Sequence, residues 1–217
     1  MRAITLSILV CGLMLWTTAC NQPKQPPPPA HDPQEAATRA LDTLKGLVTT
    51  ENYKAMGFDS ADEVKTAVLA DPLSVYHIQL DQLRSFQPGS DPSKLLQDVG
   101  QRMYPVTASQ QVKSSIVVVK DGDAWKEAKF GGPGLIRALS QARAKDQENS
   151  KSSGPYTLLQ IPALNMYFLA RQADGKLMLV PAIDDPANNF KAGVAVSAEE
   201  AMRSLVTAAQ QYNGLPE

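Results

Sequence analysis

The chain is poor in the residue types that most often do chemistry. It has two histidines, His31 and His77, and two cysteines, Cys11 and Cys20. His31 sits among prolines, so a Ser-His-Asp or Cys-His device would have to be built on His77. A zinc site needs three or four suitable ligands, and the chain has no His/Cys set to supply them. Charge is as sparse in information: 21 basic and 22 acidic side chains leave a net charge of −1. There is no basic excess to point to nucleic acid and no acidic run to store cations. No Gly-Lys-Ser/Thr loop or spaced-glycine fingerprint is present, so no cofactor is implied.

Long apolar runs are scarce too, with one exception at the start. Arg2 precedes an uncharged apolar stretch from Ala3 to Ala19, which ends in Thr17-Thr18-Ala19-Cys20. A short basic start, an apolar centre and a small-residue exit describe a secretory signal over residues 1–19. As a membrane span the stretch falls short of the roughly 20 residues a bilayer requires. The small residues before Cys20 resemble the lipobox of bacterial lipoproteins, although Thr17 stands where that pattern usually has Leu. The resemblance covers only residues 1–20. It implies cleavage before Cys20, a thioether-linked diacylglyceryl group on its sulfur, and in many bacteria an amide-linked fatty acid. The lipid bilayer is then the first partner, held through acylated Cys20, since two or more acyl chains anchor stably where one does not. Asn21, rather than Asp, follows the cysteine. By the same resemblance this favours the outer membrane, facing the periplasm, in a Gram-negative source. Cleavage would also remove Cys11 and Arg2, leaving 20 basic and 22 acidic side chains, a net charge of −2, and no possible intrachain disulfide.

Residues 20–33 read as the lipidated cysteine and a tether. Positions 21–33 hold six prolines, which fix φ and lack an amide donor. An extended segment of this kind rises ~3.1 Å per residue and could hold a domain up to ~40 Å from the bilayer.

Residues 34–217 read as a single globular domain. Asp32-Pro33 with Glu35 is a helix start, and Ala37, Ala40, Leu41, Leu44, Leu47 and Val48 follow at helical spacing. A second helix is predicted from Ser60, paired with Glu63, through Val64, Ala67 and Val68 to a stop at Asp71-Pro72. Leu73 to Leu80 alternates as a strand, and Asp91-Pro92 opens a short helix through Val99. The clearest strand is Val112 to Lys120, turned at Asp121-Gly122 into Ala124 to Phe130. Gly131-Gly132-Pro133-Gly134 breaks it, and a helix runs on to about Lys145. Residues 146–155 are polar and serine-rich, a flexible loop by composition. Tyr156 to Arg171 reads as two strands bent at Pro162, and Asp174-Gly175 turns the chain into Lys176 to Ile183. Gly193 to Val196 extends before Ser197 caps a final helix with Glu200, burying Ala201, Leu205, Ala208 and Tyr212. Hairpin, break and helix thus occur twice, over 112–145 and 164–212, as two ββα-like units. The fold class is α+β, an antiparallel β-sheet built from hairpins with packed helices. Whether the two units share one sheet is open at this level.

Three features could carry chemistry. Gly131, Gly132 and Gly134 stand between a strand and a helix, with Arg137 one turn in, and could admit an anion or other ligand. Asp184-Asp185-Pro186 could offer paired carboxylates, but its sequence is that of a turn in which aspartates bond their own backbone. Trp125, Phe130, Tyr156, Tyr167 and Phe168 fall on predicted strands and read as core. No catalytic or metal-binding residue is nominated. The functional expectation is a membrane-anchored envelope lipoprotein whose domain is a non-catalytic module binding an envelope protein or small ligand. The competing expectation is an envelope hydrolase acting on peptidoglycan or sugars through carboxylates.

Overall fold

Asp32 begins the first helix, α1 (Pro33–Leu47), its carboxylate accepting the amide of Gln34 at 2.7 Å. Pro33 occupies the first helical position, where its missing N–H costs nothing. Glu35 pairs with Arg39 on the outer face, and Ala37, Ala40, Leu41 and Leu44 are buried on the inner one. The computed structural model describes residues 28–151 and 154–214. The expected signal peptide 1–19, Cys20 and positions 21–27 of the expected tether lie outside the described residues.

Residues 28–32 belong to the folded unit, which moves the tether's expected end at residue 33 toward the N-terminus. Ala30 is 3% exposed, and its carbonyl accepts the Trp125 amide at 2.7 Å. Arg39 donates to the Pro28 carbonyl, and His31 Nδ1 lies 3.4 Å from the Asp123 carbonyl.

The capping box at Ser60 forms, but the helix does not. Ser60 Oγ accepts the Glu63 amide at 3.1 Å, and the Glu63 carboxylate accepts the Asp59 amide at 2.7 Å. One 3-10 turn, Glu63–Thr66, follows, and then Val68–Leu69 pairs as strand β1 with Thr107 and Val106. Ladder pairing with β3, helped by the β-branched Val68, overrides the local helix signal.

The remaining strands are β2 (Leu73–His77), β3 (Gln97–Ala108), β4 (Gln111–Asp121), β5 (Ala124–Gly131), β6 (Thr157–Ile161), β7 (Met166–Ala173), β8 (Lys176–Pro181) and β9 (Val196–Ser197). Helices α2 (Leu80–Arg84), α3 (Pro133–Ser150) and α4 (Ala198–Gln211) complete the order. Leu80, expected to end a strand, instead opens α2. The strands form one sheet in the order β5-β4-β3-β2-β6-β7-β8-β9, with β1 beside β3. Both hairpin units therefore share it. Neighbours are antiparallel except β2 and β6, which run parallel at the centre with Val75 opposite Leu158. The chain is an α+β fold on a mostly antiparallel sheet.

Alternation along the strands assigns the two faces. Leu73, Val75, Met103, Val117, Leu158, Leu169 and Val180 pack with Ile136, Leu139 and Ala142 of α3. Their neighbours Leu159, Phe168, Ala170 and Leu179 face the other way, under α4, as do Tyr104, Val106, Ile116 and Val118 under α1. So α3 covers one face, and α1, α2 and α4 cover the other. Ser197 caps α4 as expected, accepting the Glu200 amide at 3.2 Å. The buried stripe of α4 is Ala198, Ala201, Met202, Leu205 and Ala209; Ala201 and Leu205 are buried as expected, whereas Ala208 and the capping Tyr212 are only half-buried.

Two segments depart from the sequence reading more deeply. Strand β3, twelve residues long, was not anticipated, because Gly100 and Pro105 interrupt it and Gln97, Asp98, Gln101 and Arg102 are polar. Its proline is tolerated for a geometric reason. The N–H and C=O of a strand residue point to the same side, and the Pro105 carbonyl accepts the Ala70 amide at 2.9 Å. The donorless nitrogen therefore faces the place where β1 and β2 are interrupted by Asp71-Pro72. The second departure is residues 146–150, read as loop, which continue α3 to Ser150.

Candidate functional site

The glycine turn is assembled from both sides. Gly131 and Gly132 take φ values of +94° and +67°, in the region that favours glycine. Ser115 Oγ donates to the Gly131 carbonyl at 2.6 Å. Gly132 caps α3 with no side-chain acceptor, Pro133 follows it, and Gly134 is exposed. Arg137 is brought beside this turn, but its Nη2 donates to the Gly57 carbonyl at 3.1 Å. The guanidinium latches the 49–62 loop to α3 instead of standing over the helix end. Asp184 and Asp185 also spend their oxygens locally. Asp184 accepts the Ala192 amide at 2.7 Å, and Asp185 accepts the Asn188 amide at 3.3 Å and its side-chain amide at 2.7 Å. His77 lies on a central strand, partly buried, with Nε2 3.1 Å from Gln160 Oε1.

Two clusters of charge were not foreseen. The first is buried. Arg171 of β7 donates to Asp146 of α3 through Nε at 2.6 Å and Nη2 at 3.0 Å, and Tyr156 donates to the same carboxylate at 2.7 Å. Asp146 is 2% and Arg171 6% exposed, so this is a dry bidentate pair. Burial alone would raise the Asp146 carboxyl, but the hydrogen bonds of Arg171 and Tyr156, with the guanidinium charge, outweigh it and hold the group low. Burial, and then the adjacent carboxylate, push the Tyr156 phenol up to about 12. The second cluster centres on Lys113, whose Nζ reaches Asp59 at 2.6 Å and Glu63 at 3.2 Å. Hydrogen bonding to Asp59 leads the causes that raise Lys113, against burial. Every carboxylate whose ionisation is displaced among the described residues is displaced downward. A general acid for glycoside cleavage needs the opposite direction.

A hollow of mixed lining lies beside the β7–β8 hairpin. Two adjoining cavities of about 350 and 450 Å³ share Ser93, Gln172 and Leu177. Tyr76, Leu96, Thr157 and Ala170 line the first; Asp91, Lys176, Ala198 and Glu199 line the second. The Asp91 carboxylate caps the 3-10 turn Pro92–Leu95 by accepting the Ser93 amide at 2.9 Å, which fixes one wall. The β7–β8 hairpin fixes the other. The groove thus has apolar and aromatic side chains at one end, charges of both signs at the other, and hydrogen-bonding groups between them. That is the composition of a binding hollow. Sequence reading missed it because its walls come from five separated segments, and none carries a ligand-binding motif.

Among the described residues, no His, Cys, Asp and Glu side chains group in threes that could hold a metal ion. No helix there is long and apolar enough to cross a membrane. Comparison with protein-family models, curated proteins and solved structures finds no match.

Proposed function

We propose that this is an envelope lipoprotein, anchored through acylated Cys20, whose domain binds an envelope partner in the groove between the Pro92–Leu95 turn and the β7–β8 hairpin. In a Gram-negative source Asn21 favours the outer membrane, with the domain in the periplasm. The observation that carries the binding reading is the groove itself. Its mixed lining suits recognition, and Asp91, the groove carboxylate whose ionisation is displaced, is displaced downward by its hydrogen bonds from Ser93, away from what acid catalysis needs. The hydrolase alternative gains no support from the direction of the carboxylate shifts.

The test is site-specific crosslinking in intact cells from a photoreactive side chain at Gln172. A discrete adduct is expected, reduced at least tenfold by Leu177→Asp, which places a charge on the groove's apolar lining, and unchanged by Arg203→Ala on the outer face of α4. An adduct equally strong in Leu177→Asp would remove the groove from the function. Separately, Cys20→Ser is expected to shift the protein from the membrane to the soluble fraction.

A further inference from the structure

The way the chain enters the domain fixes more than a point of attachment. Ala30 is buried in the α1-side core beside Trp125, and it bridges to the outer edge of β5, the first strand of the sheet. Four contacts hold this entry: the Trp125 amide on the Ala30 carbonyl, the packing of Ala30, Arg39 on the Pro28 carbonyl and His31 against the Asp123 carbonyl. A pull on the N-terminal side is therefore met first at the β5 corner, next to the β4–β5 turn, and at Arg39 on the first turns of α1.

The groove runs from the central strands β2 and β6 to β8, so its charged end is at the other end of the sheet. Six interstrand spacings of about 4.8 Å separate β5 from β8, about 29 Å across the sheet. Along the strands the register adds further distance, because Trp125 lies opposite Lys120 near one end while Lys176 and Leu177 lie near the other. Ten residue steps separate Cys20 from Ala30, no more than about 36 Å of chain at full extension. To lay the β8 corner on the bilayer, that chain would have to run back across almost the whole sheet with no slack.

Resting on the lipid-anchor reading above, we infer that the β5 edge is the membrane-proximal side of the domain and that the groove opens on the far side, toward a partner held away from the lipid surface. The docked segment Pro28–His31 is the device that sets this orientation. It makes the partner's surface one presented across the compartment, such as an envelope protein, and disfavours ligands drawn directly from the supporting bilayer.

Single-cysteine labelling tests it on the full lipoprotein. With Cys20 in thioether linkage and Cys11 removed with the signal, an introduced cysteine is the one free thiol. Glu127→Cys on β5 and Arg203→Cys on α4 are both exposed positions. Each carries the same donor dye, in vesicles of phosphatidylethanolamine and phosphatidylglycerol doped with an acceptor-labelled headgroup. Energy transfer from Glu127→Cys is expected to exceed that from Arg203→Cys at least twofold. Adding Ala30→Asp, which undocks the entry segment, is expected to bring the ratio toward one. Equal transfer from the two sites, or more from Arg203→Cys, with protein still floating on the vesicles, overturns the orientation while leaving the anchor intact. A ratio untouched by Ala30→Asp overturns the role of the docked segment. Protein that does not float and takes a second dye at Cys20 overturns the anchor reading, and the orientation with it.

Discussion

Asp146→Ala is expected to destabilise the domain by about 3–5 kcal/mol, because it leaves the Arg171 guanidinium buried without its counter-charge. For a domain of this size the midpoint of thermal unfolding should fall on the order of 10 °C. The loss should not be read as the worth of the ion pair. Taking two charges out of water is itself costly, and an apolar pair can replace them at little net loss. Asp146→Leu combined with Arg171→Met is accordingly expected to recover most of the stability that Asp146→Ala removes. Urea unfolding of the wild type, the single variant and the double variant decides it. A double variant as unstable as the single one would mean that the pair contributes through geometry that apolar side chains cannot supply.

The same cluster sets how stability follows pH. The Asp146 carboxyl is held below its ordinary range in the folded state. Its contribution is therefore present above the unfolded carboxylate value and is lost as pH falls through the lowered folded value. Tyr156 acts at the other end with the opposite sense. Its folded value is raised to about 12, so its contribution is complete below the ordinary phenol value of about 10 and is lost as pH rises from there through about 12. Between about pH 9 and about pH 11.5 the urea midpoint of wild type should drop more than that of Tyr156→Phe. Parallel curves would show that the phenol ionises as readily folded as unfolded.

Gly57→Ala is the second change expected to be severe. Gly57 has φ +97°, and an added Cβ would lie 2.0 Å from the Lys113 carbonyl oxygen and 2.7 Å from Pro133 Cβ. Both obstacles belong to the main chain or to a rigid ring, so neither can rotate away. Left-handed strain of ~1–2 kcal/mol and overpacking of ~1–3 kcal/mol combine to a loss of about 2–5 kcal/mol. The position is also where the 49–62 loop meets the sheet and α3. Arg137 holds the Gly57 carbonyl, while Asp59 and Glu63 hold Lys113. Amide exchange in 49–66 should accelerate more than in α4, far from the contact. Gly46→Ala is the control. Gly46 sits in α1 with nothing within 4 Å of the added carbon, so this substitution is expected to be neutral or to stabilise by up to ~1 kcal/mol. The same chemical change should thus have opposite consequences at two glycines, and near-equal unfolding midpoints would refute the steric argument.

What could be read in advance follows the range of the physics involved. The α1 and α4 caps, the Asp121-Gly122 and Asp174-Gly175 turns and the Val112 to Lys120 strand are local, each set by residues within a few positions of one another. They are where the chain was expected to place them. The α+β class followed from them, because tight turns join neighbouring strands directly. Strand β3 was hidden, since Pro105 is acceptable only where the neighbouring strand happens to break. Residues 146–150 were hidden by polarity, yet one signal was available. Asp146 continues the spacing of Ile136, Leu139 and Ala142, and an acid on a buried stripe demands a partner. That partner, Arg171, lies 25 residues on, in a strand that could not be aligned with the helix until the fold brought them together.

The groove and the entry clamp lie at the far end of this scale. The sequence by itself determined the apolar start and the small residues before Cys20 on which the proposed anchor rests, the scarcity of catalytic residue types, and most local elements, because each depends on residue identity or on contiguous residues. Only the tertiary structure decided that the two hairpin units share one sheet through the parallel β2–β6 pair. It alone decided that Ala30 docks on β5, and that Ser93, Gln172 and Leu177 meet in one hollow. Those contacts join residues tens of positions apart. The free energy that selects them is the burial of both sheet faces at once, which no single segment of the chain can express.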